Sequence, residues 1–384
     1  MLKIINGRVV GDNDIQSLNV YIENGKIVEL TAEDRPCDEV IDAAGNYVSA
    51  GFIDTHVHGG GGADVMDGTP EAICKMARTH ASHGTTSICP TTAASSHADL
   101  IRAIKAYLAA KGESGRAGMP NLIGMHLEGP NFSPAQAGAQ DPENIYPPRR
   151  EEYEEVLALA EGNIAKWSFA PELPGSEEFC RALVMHGVLP CIGHTDATYD
   201  DVMRVYPLGA KCLTHFYSAM SGITRKEGYR VAGVVESGYI LDGMWIEVIA
   251  DGAHIPPLLL KMICKLKDRS KIMLVTDAMR GATMPEGPSI LGVNTPCIIE
   301  DGIAKMPDRK AFAGSVATAD RLIRTLYRDA EIPLCEAVGM MTKNPAKALG
   351  IAHKGRLMPE YDADIVIFDE NVNIKRVLVG GKCI

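Results

Sequence analysis

No Cys-x-x-Cys occurs in the 384 residues, and the closest of the ten cysteines, Cys180 and Cys191, are eleven apart. That spacing argues against a zinc ribbon or a disulfide framework and fits a reducing cytoplasm. No window approaches the roughly 18 uninterrupted apolar residues that a membrane-spanning helix needs. The opening stretch, MLKIINGRVVGDNDI, turns polar too soon for a secretory leader. Basic blocks are missing too: 38 Lys and Arg stand against 49 Asp and Glu, a formal charge of −11. Such a chain is poorly suited to wrapping nucleic acid or lying on anionic lipid. A small acidic ligand in a locally basic pocket stays open. Apolar residues are plentiful at 46%, with 23% charged, enough to offset the ordering entropy of a large core. The expectation is a cytoplasmic protein with no nucleic-acid or membrane partner, whose metal, if any, is not held by thiolates.

Length suggests two or three domains at roughly 150 residues each. Leu2 to Val10, Leu18 to Leu30 and Glu39 to Val48 are β-type runs punctuated by Asn6-Gly7, Asn24-Gly25 and Gly45-Asn46. Ala363 to Asp369 and Ile374 to Val379 resemble them. Both ends therefore predict one small β-sandwich domain, residues 1–50 with 351–384. The middle, 51–350, alternates short apolar runs with helical patterns, which predicts a parallel sheet with helical crossovers. Eight runs stand out: Gly51 to His58, Thr85 to Pro90, Leu122 to Glu128, Ile164 to Ala170, Leu189 to His194, Lys211 to His215, Met244 to Ala250 and Lys271 to Thr276. His97 to Lys111 behind Ser95 or Ser96, and Glu177 to His186 behind Ser176, read as amphipathic helices. Thr318 to Ala330 and Leu334 to Ala348 read as closing helices. Eight strand–helix units predict a (β/α)8 TIM-like barrel. A doubly wound open sheet is the alternative, but no Gly-x-Gly-x-x-Gly loop follows a strand.

Buried parallel strands should be almost wholly apolar, and the exceptions here fall at one end. Run one closes on His56 and His58, run three on Glu128, run five on His194 and run six on His215. Asp251 and His254 follow run seven, and Asp277 ends run eight. In a barrel these ends converge on one mouth. Strand period two sets His56 and His58 on the same side, about 7 Å apart along the backbone, so both can face one ion. A bare His-x-His is weak evidence; with Glu128, His194, His215 and Asp277 at equivalent ends it points to one or two divalent metals. Imidazole and carboxylate donors suit Zn or Fe, and also Mn or Co. His126, two residues before Glu128, reads as a hydrogen-bond partner of the ligands. Lys166 lies early in its strand and reads as structural, as do His80, His83, His97, His186 and His353.

Several motifs in order resemble the amidohydrolase superfamily and, within it, the N-acetylglucosamine-6-phosphate deacetylase family. They are Ser-Ala-Gly-Phe-Ile-Asp-Thr-His-Val-His (49–58), His-Leu-Glu-Gly-Pro (126–130), Gly-His-Thr-Asp-Ala-Thr (193–198), Thr-His-Phe-Tyr-Ser-Ala-Met (214–220), Ile-Ala-Asp-Gly-Ala-His (249–254) and Val-Thr-Asp-Ala (275–278). Ala313-Gly314-Ser315 and Ala363-Asp364-Ile365-Val366 extend the likeness almost end to end. The resemblance implies a principal metal on Glu128, His194 and His215. A second would sit on His56 and His58, with Glu128 bridging and Asp277 close to both as catalytic acid/base. It implies a metal-dependent hydrolase that cuts the acetamide of an amino-sugar phosphate in amino-sugar catabolism. It also implies substrate contacts at Ala139, Gln140, Ser218, Ala219, Arg225, Lys226, His254, Phe312 and Gly314. A homodimer follows, whose 225–230 segment reaches the neighbouring active site.

This chain departs from the family at three points. Gln140 stands where many members carry His, and Ser218 where Asn is usual. Arg225-Lys226-Glu227-Gly228-Tyr229-Arg230 replaces an Arg-x-Pro-Gly stretch. Lys meets phosphate as a point charge where Arg binds it bidentately. These changes leave deacetylation expected and keep the galactosamine epimer, or another N-acyl sugar, as alternatives. A different amidohydrolase reaction, such as a dihydroorotase's, is disfavoured by Glu128 at strand three. A non-catalytic sugar-phosphate sensor would not need all six strand-end ligands.

Overall fold

The computed structural model describes residues 1–116 and 118–384. All eight expected runs form parallel strands: β1 Phe52–Val57, β2 Thr85–Pro90, β3 Met125–Glu128, β4 Ile164–Phe169, β5 Leu189–Ile192, β6 Cys212–Leu213, β7 Trp245–Val248 and β8 Ile272–Leu274. Strands β3 to β8 form one ladder in chain order, and β1 pairs with β2. Single bridges close the circle, Thr91 to His126 beyond β2 and Val57 to Ala278 beyond β8. Asp54 strengthens the second seam by accepting the Thr276 hydroxyl at 2.6 Å. The sheet is therefore a barrel and not the open alternative.

Helices α1 Pro70–Ala81, α2 His97–Ala110, α3 Arg150–Leu159, α4 Ser176–Met185, α5 Tyr199–Val205, α6 Val234–Ile240, α7 Pro257–Leu266 and α8 Ala319–Arg324 follow the strands. Ser96 caps α2 through the Asp99 amide. The α4 cap differs from expectation: Gly175, at φ 82°, precedes the first turn. Ser176 instead turns its hydroxyl to the Ala170 carbonyl. The closing helices are also more broken than the pattern suggested. The first loosens into a π-turn over Thr325–Asp329. The second divides at Met341 and Thr342 into Leu334–Met340 and Lys343–Ala348.

Strands from both chain ends share one sheet, in which Ile365–Phe368 pairs antiparallel with Tyr47–Ala50. A second sheet, built on Leu2–Ile5, faces it across a shared cluster that includes Ile4, Val20, Ile41, Val48, Ile365 and Leu378. This is the small β-sandwich. Gly51 alone separates Tyr47–Ala50 from β1, so the sandwich feeds straight into the strand that carries His56. The sequence reading missed two further pieces. A hairpin of Thr224–Lys226 and Tyr229–Val231 follows β6, and a three-stranded antiparallel sheet spans Gly287 to Lys305 after β8.

Candidate active site

The polar strand ends do converge. Ligand atoms of His56, His58 and Asp277 form one buried group, and those of Glu128, His194 and His215 another. Glu128 joins them. Its Oε1 lies 3.0 Å from His215 Nε2 and 3.3 Å from His56 Nε2, while its Oε2 lies 3.2 Å from His58 Nε2. Asp277 Oδ1 is 3.3 Å from His56 Nε2 and 3.1 Å from His58 Nε2.

The way each ligand arrives differs. His56 and Glu128 point inward by strand alternation, and His58 follows one step past β1. His194, His215 and Asp277 sit just beyond their strands in the left-handed region, at φ 47°, 31° and 49°. Non-glycine residues rarely hold that conformation, and where they do it turns a side chain out of the strand's path. Gly314 is part of what permits this at Asp277. Its φ is 69°, and a Cβ there would lie 3.0 Å from the Asp277 carbonyl oxygen.

The donor set fits a divalent metal. The Nε2 atoms of His56 and His58 lie 3.2 Å apart, and those of His194 and His215 3.0 Å apart. Imidazole lone pairs held so close require positive charge between them, as a proton or as a metal. The electrostatics agree. Burial alone would push Glu128 up, but His56, His194 and His215 hold it well below the usual carboxylate range. Asp277 is likewise pulled against its burial, by His56 and His58, to about 2. Burial opposes protonation of His56, yet Asp277 and Glu128 raise it to about 9. Without metal the pocket takes protons in its place, so metal uptake must release them.

Around the cluster lies a cavity of about 230 Å³. Its lining includes Ala139, Gln140, Ser218, Ala219, His254, Phe312 and Gly314, seven of the nine substrate positions expected from the sequence. Arg225 and Lys226 are the other two; they lie on the exposed Thr224–Val231 hairpin and do not line it. Asp251 accepts the Nδ1–H of His254 at 2.8 Å and so leaves Nε2 for a ligand. Phe312 packs on that ring at 4.8 Å.

Gln140 does more than line the wall. Its Nε2 donates to Glu128 at 2.6 Å, and its Oε1 accepts the Ala94 amide at 2.7 Å. The amide is thus engaged at both ends. His126 does not hydrogen-bond the ligands as expected: its Nε2 bonds Ser168 Oγ at 2.7 Å, and it meets His56 only as an edge-on ring at 4.4 Å. His80 is structural but not a surface residue: fully buried, it donates to the Gly59 carbonyl at 2.9 Å. Sequence reasoning missed Gln136, whose carbonyl holds His194 Nδ1 at 2.9 Å, and Leu291, which reaches the cavity from the Gly287–Lys305 sheet. A main-chain contact leaves no residue-type signal. It also missed Glu247, the one acid within the Met244 to Ala250 run, which was there to be seen.

Residues 47–384 match the Amidohydrolase family. The N-acetylglucosamine-6-phosphate deacetylase of Lysinibacillus sphaericus is 31% identical over 368 residues, spanning 96% of this chain and 93% of the relative. The N-acetylgalactosamine-6-phosphate deacetylase of Escherichia coli O157:H7 is 31% identical over 332 residues, 86% of each chain. The crystal structure of N-acetylglucosamine-6-phosphate deacetylase from Pasteurella multocida superposes with a TM-score of 0.93 at 26% identity, covering 100% of this chain and 99% of the other.

Proposed function

Because this chain belongs to the amidohydrolase family, we propose that it hydrolyses the acetamide of N-acetylglucosamine 6-phosphate, giving acetate and glucosamine 6-phosphate in amino-sugar catabolism. One observation carries the reading: Glu128 joins two buried donor groups at the floor of a cavity that Asp277 and His254 also line. Near-full-length likeness to deacetylases of this substrate supports it.

The residues divide the work as follows. Glu128, His194 and His215 would hold the principal divalent ion, and His56 and His58 with Asp277 would hold a second, with Glu128 shared between the two groups. When bound, the metal acts as a Lewis acid toward water and the amide carbonyl. Asp277 takes the proton of the attacking water and returns it to the departing nitrogen, which must be protonated to leave. His254, oriented by Asp251 through Nδ1, turns Nε2 to the cavity and, when doubly protonated, donates from it to the oxygen on which charge develops. The imidazole and carboxylate donors favour Zn or Fe and also accept Mn or Co. Ala139, Ser218, Ala219, Phe312 and Gly314 shape the sugar pocket, and Gln140 steadies Glu128 beside it.

The phosphate is met by Arg225 and Lys226 of a partner copy in a homodimer. That assignment is supported by the hairpin's position outside its own cavity and by its composition. Ile223 is 64% and Tyr229 78% exposed, which leaves apolar surface for a second chain to cover. Residues 1–50 with 351–384 serve as the supporting β-sandwich, and 51–350 as the catalytic barrel. The reaction takes place in the cytoplasm, in keeping with ten unpaired cysteines and with the absence, among the described residues, of a helix able to cross a membrane.

One second reading has a specific observation behind it. The N-acetylgalactosamine-6-phosphate deacetylase matches at the same 31% identity, over 332 residues against 368, and Ser218 and Lys226 depart from the family pattern described above. Acetate release from the two phosphorylated epimers and from N-acetylglucosamine, side by side, tests both. Preference for the glucosamine phosphate supports the main reading; preference for its epimer replaces it. Equal turnover without phosphate removes the role of Arg225 and Lys226.

A further inference from the structure

Beneath the ligands, the barrel interior holds a buried ion pair that the reaction as described does not use. Lys166 on β4 donates to Glu247 Oε1 on β7, and both side chains are shut off from solvent. Lys166 stands level with His126, one layer below Glu128. The Thr55 hydroxyl approaches the same Glu247 oxygen at 3.5 Å. The other oxygen, Oε2, lies 3.4 Å from Nδ1 of His56.

The four histidines of the cluster are not served alike at that nitrogen. Among the described residues, Nδ1 of His58 and of His215 is buried without a partner. His194 has a neutral one, the Gln136 carbonyl. His56 alone faces a carboxylate. An anion at Nδ1 fixes the hydrogen there, leaves the Nε2 lone pair toward the metal and raises the basicity of the ring. A buried ion pair is seldom retained for stability, since a well-packed apolar pair serves as well or better. At 3.4 Å the contact is long for a hydrogen bond but close enough for the carboxylate to orient the ring.

We propose that Glu247, held and charge-balanced by Lys166, is a positioning residue for His56 and sets the affinity of the His56, His58 and Asp277 site for the second metal. The inference rests on the two-metal reading above. Lys166 engages Oε1, so that Oε2 is left for the imidazole.

The test is an equilibrium titration of metal-free protein with Zn²⁺, counting ions per chain, on the wild type, Glu247→Gln and the double variant Glu247→Gln/Lys166→Met. Thermal melts check the fold. The single variant leaves Lys166 buried and unpaired, so loss of fold there is uninformative and the double variant is the deciding chain. The expected result is that one of two ions binds about 10- to 100-fold more weakly, the other is unchanged, and the double variant melts close to the wild type. A folded double variant with both affinities intact overturns the proposal, as does equal weakening at both sites, which marks a merely structural pair. A wild type that binds one ion overturns the two-metal reading itself and the inference with it, and is recognised before any variant is compared.

Discussion

His56 and Glu128 enter the cluster from inside their strands, with His58 one step past β1, whereas His194, His215 and Asp277 enter from left-handed residues beyond strand ends. The first set needs only alternation, so an inward side chain at one position implies another two positions away. The second needs a local backbone conformation that few side chains accept, together with neighbours such as Gly314 that leave room for it. The strand set builds the wall of the site. The kinked set folds over it, and it includes Asp277, the proposed proton carrier. Precision in this centre comes from joining a periodic element to a strained one, with Glu128 at the joint.

The comparison breaks most visibly at the joint. Glu128→Gln should empty both sites and reduce acetate release to background, read by metal analysis and turnover on one sample; retention of either ion would show that Glu128 does not bridge. Next come the two arms. His194→Asn should lose the principal ion and activity together, while His56→Asn should keep one ion and measurable turnover. Equal losses would erase the distinction drawn between the arms.

Gln140→Ala sharpens the account of the joint. Removing one hydrogen bond from a buried carboxylate costs about 2 kcal/mol. Metal retention should weaken by roughly 30-fold, more than KM for the sugar changes. A change confined to KM would return Gln140 to the substrate.

A further effect, on stability and not on turnover, concerns the strand arm alone. Burial pushes His80, which holds Gly59 beside His58, down to about 4 from an ordinary 6.5. The unfolded chain therefore binds more protons between those values, and stability falls as pH drops through that window, by up to about 3 kcal/mol. His80→Gln should show a shallower loss of denaturation midpoint between pH 7 and 4.5. An unchanged slope would mean that other groups carry it.

The strand arm was legible in the sequence for the reason it is regular. His-Val-His at 56–58 and His-Leu-Glu at 126–128 state their own geometry, and eight apolar runs gave the barrel. The kinked residues were legible as residue types at strand ends, while the conformation that aims them was not. The Gly287–Lys305 sheet was hidden because Gly287, Pro288, Gly292, Pro296 and Gly302 read as turn punctuation, not as a sheet. Leu291 reached the cavity unannounced with it. Gln140 was visible as a candidate, but its partner, Glu128, could be found only in space.

The most direct measurement is acetate release from N-acetylglucosamine 6-phosphate by the wild type and Asp277→Asn at matched, measured metal content. The account predicts turnover by the wild type and a loss of about 10²- to 10⁴-fold in kcat when the proton carrier is removed. A fully loaded Asp277→Asn protein that turns over at the wild-type rate, or a fully loaded wild type that releases no acetate, would contradict it.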